Sequence, residues 1–126
     1  MSGIKFLLDT NILIGLLNRT EAAISLLTLK QVDITQCAFS AVTRMELLSY
    51  QGLKPEDRKN IGQLLGRMNY LPITLAIEDA TIEFRQKNKI KLPDAIIAAT
   101  AQHHQLHLLT LGAGLNKNWQ AMAGGV

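Results

Sequence analysis

The segment "FLLDTNILI", residues 6–14, is the stretch from which the fold can be predicted. An apolar run that begins at Ile4 reaches Leu8, three polar residues from Asp9 follow at once, and leucines then recur at helical spacing. This order predicts a short buried strand, a turn at Asp9 and a helix. Taken alone, Asp9 is most typical of a helix N-cap, whose carboxylate accepts a hydrogen bond from the backbone N–H groups of the first turn.

The same alternation of short apolar runs and helical patterns continues along the chain. Further strands are predicted at 33–40, 71–74 and 106–112, and further helices at 21–29, from Ser40 onward, at 54–68, around 77–84, at 92–102 and at 116–122. Short, nearly continuous apolar strands between helices are typical of a parallel sheet that helices cover on both faces. The sequence therefore predicts an α/β fold.

Length and composition indicate a single domain over residues 1–126, with a loose tail at about 122–126. The lone cysteine, Cys37, excludes an internal disulfide and a cysteine metal cluster, and it suits a reducing compartment, which predicts a cytoplasmic protein. No apolar stretch approaches the roughly 18 residues of a membrane span. The formal net charge of +3 is compatible with a nucleic-acid partner.

Three of the ten acidic residues occur in apolar surroundings. Asp9 ends the first strand, Glu46 lies in the helix after the second, and Asp94 opens the buried helix before the fourth. Sites in open parallel sheets form beyond the carboxyl ends of the strands, where these three acids can converge. Like charges raise one another's pKa, and a Mg²⁺ or Mn²⁺ ion held by oxygen ligands would compensate them. Separately, Asp94 is equally consistent with a favourable interaction with the helix dipole, and Glu46 with an ion pair to Arg44.

Four segments resemble the motifs of PIN-domain ribonucleases, most closely the VapC-like toxins of type II toxin–antitoxin systems. These segments are "LLDTNILI" at 7–14, "SAVTRMEL" at 40–47, "KLPDAIIAATA" at 91–101 and "LLTL" at 108–111. Their order and spacing are similar to those of the family over nearly the whole chain. The resemblance implies a Rossmann-like α/β/α sandwich with a short parallel sheet.

The resemblance also implies a function and the residues that perform it. It implies a metal-dependent endoribonuclease that cleaves RNA phosphodiesters, with Asp9, Glu46 and Asp94 as catalytic metal ligands for Mg²⁺ or Mn²⁺. Asn11 and Thr110 match polar residues of the first and fourth motifs, which support the acidic site. A cognate antitoxin, an RNA substrate and a homodimer are the partners that the resemblance implies.

The fourth motif departs from the family pattern. An acid is expected two residues after Thr110, but Gly112 stands there and no acid follows to the C-terminus. Asn116 or Asn118 would have to supply a neutral oxygen instead. This departure leaves an alternative function open, a catalytically weakened PIN-like module that binds RNA or a protein partner.

A basic run precedes the third motif and contains Arg85, Lys87, Lys89 and Lys91. Such a run can contact RNA phosphates, which would make binding depend on salt. An ordinary solvated helix end would carry the same residues.

Overall fold

Four short parallel strands form the centre of the molecule. In this computed structural model, which describes residues 3–112, 114–116 and 119, the strands are β1 (Phe6–Leu8), β2 (Cys37–Ser40), β3 (Asn69–Leu71) and β4 (His107–Leu109). Their order across the sheet is β3-β2-β1-β4. Phe6 aligns with Cys37 on one side and with His107 on the other, so β1 has a neighbour on both sides, and the carboxyl ends of the four strands agree to within one residue.

Helices connect the strands and cover both faces of the sheet. Their bounds are α1 (Thr10–Leu17), α2 (Glu21–Leu29), α3 (Ala41–Leu48), α4 (Pro55–Gly66), α5 (Leu75–Lys87) and α6 (Leu92–His103). Because neighbouring residues of a strand point to opposite faces, Leu7 and Leu8 enter two separate cores. Leu7 packs with residues of α5 and α6 such as Phe84 and Ala98, and Leu8 packs with Ile12 and others on the opposite face. The predicted α/β/α sandwich is confirmed.

Local sequence explains where several helices begin. Asp9 and Ser40 both adopt extended backbone angles directly before a helix, and both accept a hydrogen bond from a backbone N–H of its first turn. Pro55 and Pro93 occupy the first turns of α4 and α6, where a missing N–H costs no intrahelical bond. The predicted cap at Ser40 is confirmed.

Two strand predictions were wrong in position. β2 begins only at Cys37, because residues 34–36 form a 3₁₀ turn in which the Thr35 N–H donates to the Asp33 carboxylate. β3 ends at Leu71 instead of beginning there, because Pro72 has no N–H to donate to a neighbouring strand. The predicted helix at 116–122 falls mostly, and the predicted tail at 122–126 entirely, outside the described residues.

The two remaining structural expectations concern membranes and the cysteine. In the part of the chain that is described, no single helix is long and apolar enough to cross a membrane. Helices α1 and α2 reach that length and apolar character only when taken together, and the chain bends by 112° between them. Cys37 is buried and free, and burial raises the pKa of its thiol to about 12.

Candidate active site

The three predicted acids lie on elements that meet at the carboxyl edge of the sheet. Asp9 directly follows β1, Glu46 lies in α3, which follows β2, and Asp94 is in the first turn of α6. Burial raises the pKa of Asp9 above its ordinary value, and the negative charges of Asp94 and Glu46 raise it further. Glu46 and Asp94 therefore both lie within electrostatic range of Asp9.

Asp9 is the most buried of these acids, with 5% of its surface exposed. Its Oδ1 accepts a hydrogen bond of 2.8 Å from the Thr10 backbone N–H. Its Oδ2 accepts one of 2.7 Å from the Thr110 hydroxyl at the end of β4. Both bonds favour the ionised carboxylate and so lower its pKa, which partly opposes the effect of burial. Asp9 thus caps α1 and also faces the site.

The orientation of the Thr110 hydroxyl follows from its other partners. Thr110 Oγ1 accepts from Asn11 Nδ2 at 3.2 Å and from the Gly112 backbone N–H at 2.9 Å. Two donors directed at one hydroxyl oxygen leave its single proton free for the Asp9 carboxylate. Asn11 Oδ1 in turn accepts from the Leu111 N–H at 3.1 Å. Asn11 and Thr110 therefore join the turn after β1 to the end of β4.

A chain of buried hydroxyl groups leads to Glu46. Thr10 Oγ1 donates to Glu46 Oε1 at 2.6 Å and lies 2.9 Å from Thr43 Oγ1. Since the only Thr10 proton is given to the carboxylate, Thr43 must donate to Thr10. Ser40 Oγ donates to Thr43 Oγ1 at 3.4 Å, and it accepts from the Thr43 N–H at 3.2 Å. Every proton in this chain points toward Glu46, whose side chain is otherwise exposed on α3.

Sequence reasoning had not assigned a role at the site to Ser40, Thr43 or Thr10. Ser40 and Thr43 are completely buried and Thr10 nearly so, although all three are polar. A buried hydroxyl normally requires a hydrogen-bond partner, and here the partners are one another and Glu46. A signal was present in the sequence, because Ser40 and Thr43 stand three residues apart in the helix turn that precedes Glu46.

The donor set fits a hard divalent cation in kind, since every candidate ligand is a carboxylate oxygen. Among the residues that the structure describes, no three His, Cys, Asp or Glu side chains converge closely enough to hold one ion. Mg²⁺ is usually held by one or two carboxylates, with waters and substrate phosphates as its other ligands, so a looser arrangement is compatible with it. The assignment of Asp9, Glu46 and Asp94 as ligands stays a prediction.

Gly112 lies at the edge of this site. A Cβ atom at this position would be 3.4 Å from Asn11 Nδ2 and 3.4 Å from Thr110 Oγ1, which is ordinary contact. A Cβ atom is therefore tolerated at position 112, and a side chain there would begin beside the Asp9 network. Asn116 is exposed, and its backbone N–H donates to the Gly112 carbonyl at 3.0 Å. Asn118 lies outside the described residues.

The four residues of the predicted basic run are not equivalent. Lys87 Nζ lies 2.9 Å from Glu83 Oε1, one turn earlier on α5, so its charge is paired. Arg85, Lys89 and Lys91, together with Asn88 and Ile90, line a shallow, open cleft that is formed by the end of α5 and the segment leading to α6.

A family model for the PIN domain matches residues 6–118, nearly the whole chain. The chain belongs to the PIN-domain family. A chain of a toxin–antitoxin complex from Klebsiella pneumoniae is 36% identical, with a TM-score of 0.75 over 86% of this chain and 87% of that one. No curated protein matches.

Two further solved structures share the fold. One chain of VapBC2 from Rickettsia felis, in a complex bound to a promoter DNA fragment, is 19% identical, with a TM-score of 0.74 over 90% of this PIN domain and 92% of that chain. A chain of FitAcB from Neisseria gonorrhoeae is 23% identical, with a TM-score of 0.67 over 91% and 93%. The resemblance to VapC-like PIN domains that the four motifs predicted is confirmed.

Proposed function

We propose that this PIN-domain protein is the toxin of a type II toxin–antitoxin system and cleaves RNA as a Mg²⁺- or Mn²⁺-dependent endoribonuclease. The observation that carries the proposal is the buried Asp9 carboxylate, which Thr110 holds and whose pKa is raised mainly by burial and further by the charges of Asp94 and Glu46. Mutually repelling carboxylates at the carboxyl edge of a parallel sheet are typical of a functional site and unfavourable in a purely structural one.

The partners of the proposal follow from the relatives and the family. The Klebsiella pneumoniae relative, at 36% identity, is part of a toxin–antitoxin complex, which supports a cognate antitoxin as partner here. An RNA substrate, a homodimer and a cytoplasmic location complete the proposal, and they follow from the family resemblance and the composition.

Different side chains of this protein would bind the cation and orient the carboxylates. Asp9, Glu46 and Asp94 would hold the cation, which when bound supplies positive charge to the phosphate oxygens and a more acidic water. Thr110 fixes the Asp9 carboxylate from the side of β4, and Thr10 fixes the Glu46 carboxylate from the turn after β1. These oriented hydrogen bonds fix the carboxylates before substrate arrives, so that little reorganisation is needed during the reaction.

A second function is favoured by Gly112, which occupies the position of the expected fourth acid. Without that carboxylate the protein would be a weak nuclease or a module that binds RNA or an antitoxin without cleaving. The two functions differ in whether cleavage occurs and in whether it depends on Asp9.

Cleavage of total RNA in Mn²⁺, with mapping of the product ends, tests the proposal. Asp9→Asn should abolish cleavage, and the matched control Asp79→Asn, at an exposed position of α5, should leave it unchanged. Gly112→Asp should increase cleavage if the missing acid limits the rate. No gain from Gly112→Asp, combined with loss in Asp9→Asn, would mean that three acids suffice. If neither the natural protein nor Gly112→Asp cleaves any RNA while antitoxin binding persists, the enzyme proposal is wrong.

A further inference from the structure

The shallow, open cleft at the end of α5 and in the segment leading to α6 is rich in cationic side chains. It has a volume of about 440 Å³ and is lined by Arg85, Asn88, Lys89, Ile90 and Lys91. Lys89 and Lys91 are exposed, and so is Arg85. The ion pair between Lys87 and Glu83 is the sole one within 4.0 Å in the described part of the chain, so the three cationic side chains of the cleft are left uncompensated.

Two hydrogen bonds shape the cleft. Arg85 Nε donates to the Ile90 carbonyl at 3.2 Å, and Asn88 Nδ2 donates to the Phe84 carbonyl at 3.1 Å. These bonds fold the segment after α5 back onto the end of that helix. Only one of the five guanidinium N–H groups of Arg85 is used, so its two terminal nitrogens stay available for a bidentate contact with a phosphate.

The cleft lies next to the carboxylate edge of the sheet. Lys91 is the residue before α6, and Asp94 stands three residues further on, in the first turn of the same helix. Lys91 is the N-cap of α6 and has extended backbone angles, and two Cα atoms three residues apart lie at most about 11 Å from each other. A polyanion that reaches Asp94 therefore passes close to Lys91.

We propose that Arg85, Lys89 and Lys91 bind a backbone phosphate of the single-stranded RNA substrate, next to the nucleotide that reaches the carboxylates. This inference rests on the proposed function and names the surface that holds the strand. Asp9, Glu46 and Asp94 repel the phosphate chain, so cations at a fixed distance from them provide attraction while leaving the acidic site free. Lys87 takes no part, because Glu83 already pairs its charge.

Binding without cleavage tests the inference. The affinity for a fluorescein-labelled single-stranded RNA is measured by fluorescence anisotropy in EDTA, between about 50 and 200 mM KCl. The test variant is Lys89→Gln combined with Lys91→Gln, and the matched control is Lys87→Gln, from the same segment. Thermal unfolding of each variant verifies that the fold is kept.

The double variant should bind RNA about tenfold or more weakly at the lowest salt concentration, and its slope of log affinity against log salt should fall by about 0.7, the value for one lost phosphate contact with a single strand. Lys87→Gln should keep the slope of the natural protein. Equal slopes in the double variant and in Lys87→Gln overturn the inference, and so does lysine-dependent binding of duplex DNA without binding of the RNA.

The outcome separates this inference from the proposed function. If cleavage depends on Asp9 but the salt slope of the double variant is unchanged, the proposed nuclease function stands and the inferred phosphate site is wrong. A reduced salt slope in the double variant without any Asp9-dependent cleavage would confirm the phosphate site in a protein that binds RNA and does not cut it.

Discussion

Replacing Thr110 with valine removes the hydroxyl that holds Asp9 and keeps the shape of the side chain. Thr110 Oγ1 donates to Asp9 Oδ2 at 2.7 Å and accepts from Asn11 and from the Gly112 N–H. A hydrogen bond to a charged group contributes about 1.5–3 kcal/mol, and water can reach Asn11 and Gly112, which are half-buried. We expect Thr110→Val to lower the free energy of unfolding by about 2–3 kcal/mol near neutral pH, or roughly 8–12 °C in Tm.

The loss should depend on pH, with a sign set by Asp9. The pKa of Asp9 is raised in the folded protein, mainly by burial, so its contribution to stability is fully present below its unfolded pKa. That contribution is lost as the pH rises through the folded pKa. The Thr110 hydroxyl lowers this pKa, so its removal raises the pKa further and enlarges the loss across the same window. As the pH falls toward the unfolded pKa of Asp9, the deficit of Thr110→Val should shrink toward about 1 kcal/mol, the value of a neutral hydrogen bond.

Urea unfolding followed by circular dichroism, in EDTA at about pH 4 and about pH 7, measures both deficits. Thr110→Ser keeps the hydroxyl and is the matched control, with a deficit that should be smaller and independent of pH. An equal deficit for Thr110→Val at the two pH values would refute the role assigned to Asp9. A serine variant as unstable as the valine variant would show that the methyl group, and not the hydroxyl, stabilises the fold.

Three further substitutions or modifications probe the packing around the site. Thr43→Val interrupts the buried hydroxyl chain and should lower the free energy of unfolding by about 1–3 kcal/mol in urea titrations, whereas Thr43→Ser should restore most of it. Gly15→Ala should destabilise the protein by about 1–3 kcal/mol, because the new Cβ would lie 2.6 Å from the Ala23 Cβ. Gly62→Ala should instead stabilise α4 by about 0.5–1 kcal/mol, because a Cβ there meets no atom within 4 Å. Calorimetric Tm shifts of the same sign for the two variants would contradict this. Burial raises the pKa of Cys37 from 9.0 to about 12, so iodoacetamide should label the native thiol about a thousandfold more slowly than the urea-unfolded one, as mass spectrometry can measure.

The elements that the sequence predicted best are those with a local signal. α2 spans Glu21–Leu29, as its apolar spacing and first-turn acid indicated, and Ser40 caps α3. β3 was misplaced, because Asn69 and the exposed Tyr70 carry no apolar pattern. That strand is specified by distant contacts, since the Asn69 side chain donates to the Cys37 carbonyl at 3.0 Å.

The candidate site shows the same division between local and distant signals. Asp9 could be singled out only together with Glu46 and Asp94, because a carboxylate between a buried strand and a helix is by itself most typical of a helix cap, which Asp9 also is. The hydroxyl chain could not be predicted, because Thr10 and Thr43 are ordinary residues for a helix start and only the packing of α1 against α3 buries them. Lys87 and Lys89 both belong to the basic run, but only Lys87 has an acid, Glu83, one turn earlier on α5 with which it forms an ion pair.

The hydrogen bonds also divide the three carboxylates into two kinds. Asp9 is held from β4 by Thr110, and Glu46 is held from the turn after β1 by Thr10. Among the described residues, no donor contacts the Asp94 side chain, so its position is set by the packing of α6 alone. A side chain at position 112 would lie beside the Asp9 network rather than beside Asp94. An acid there would add negative charge where the pKa of Asp9 is already raised, and without a cation it would destabilise the fold. Gly112 therefore adds no repulsion on the side of Asp9, and without a cation the protein should be more stable with glycine than with an acid at this position.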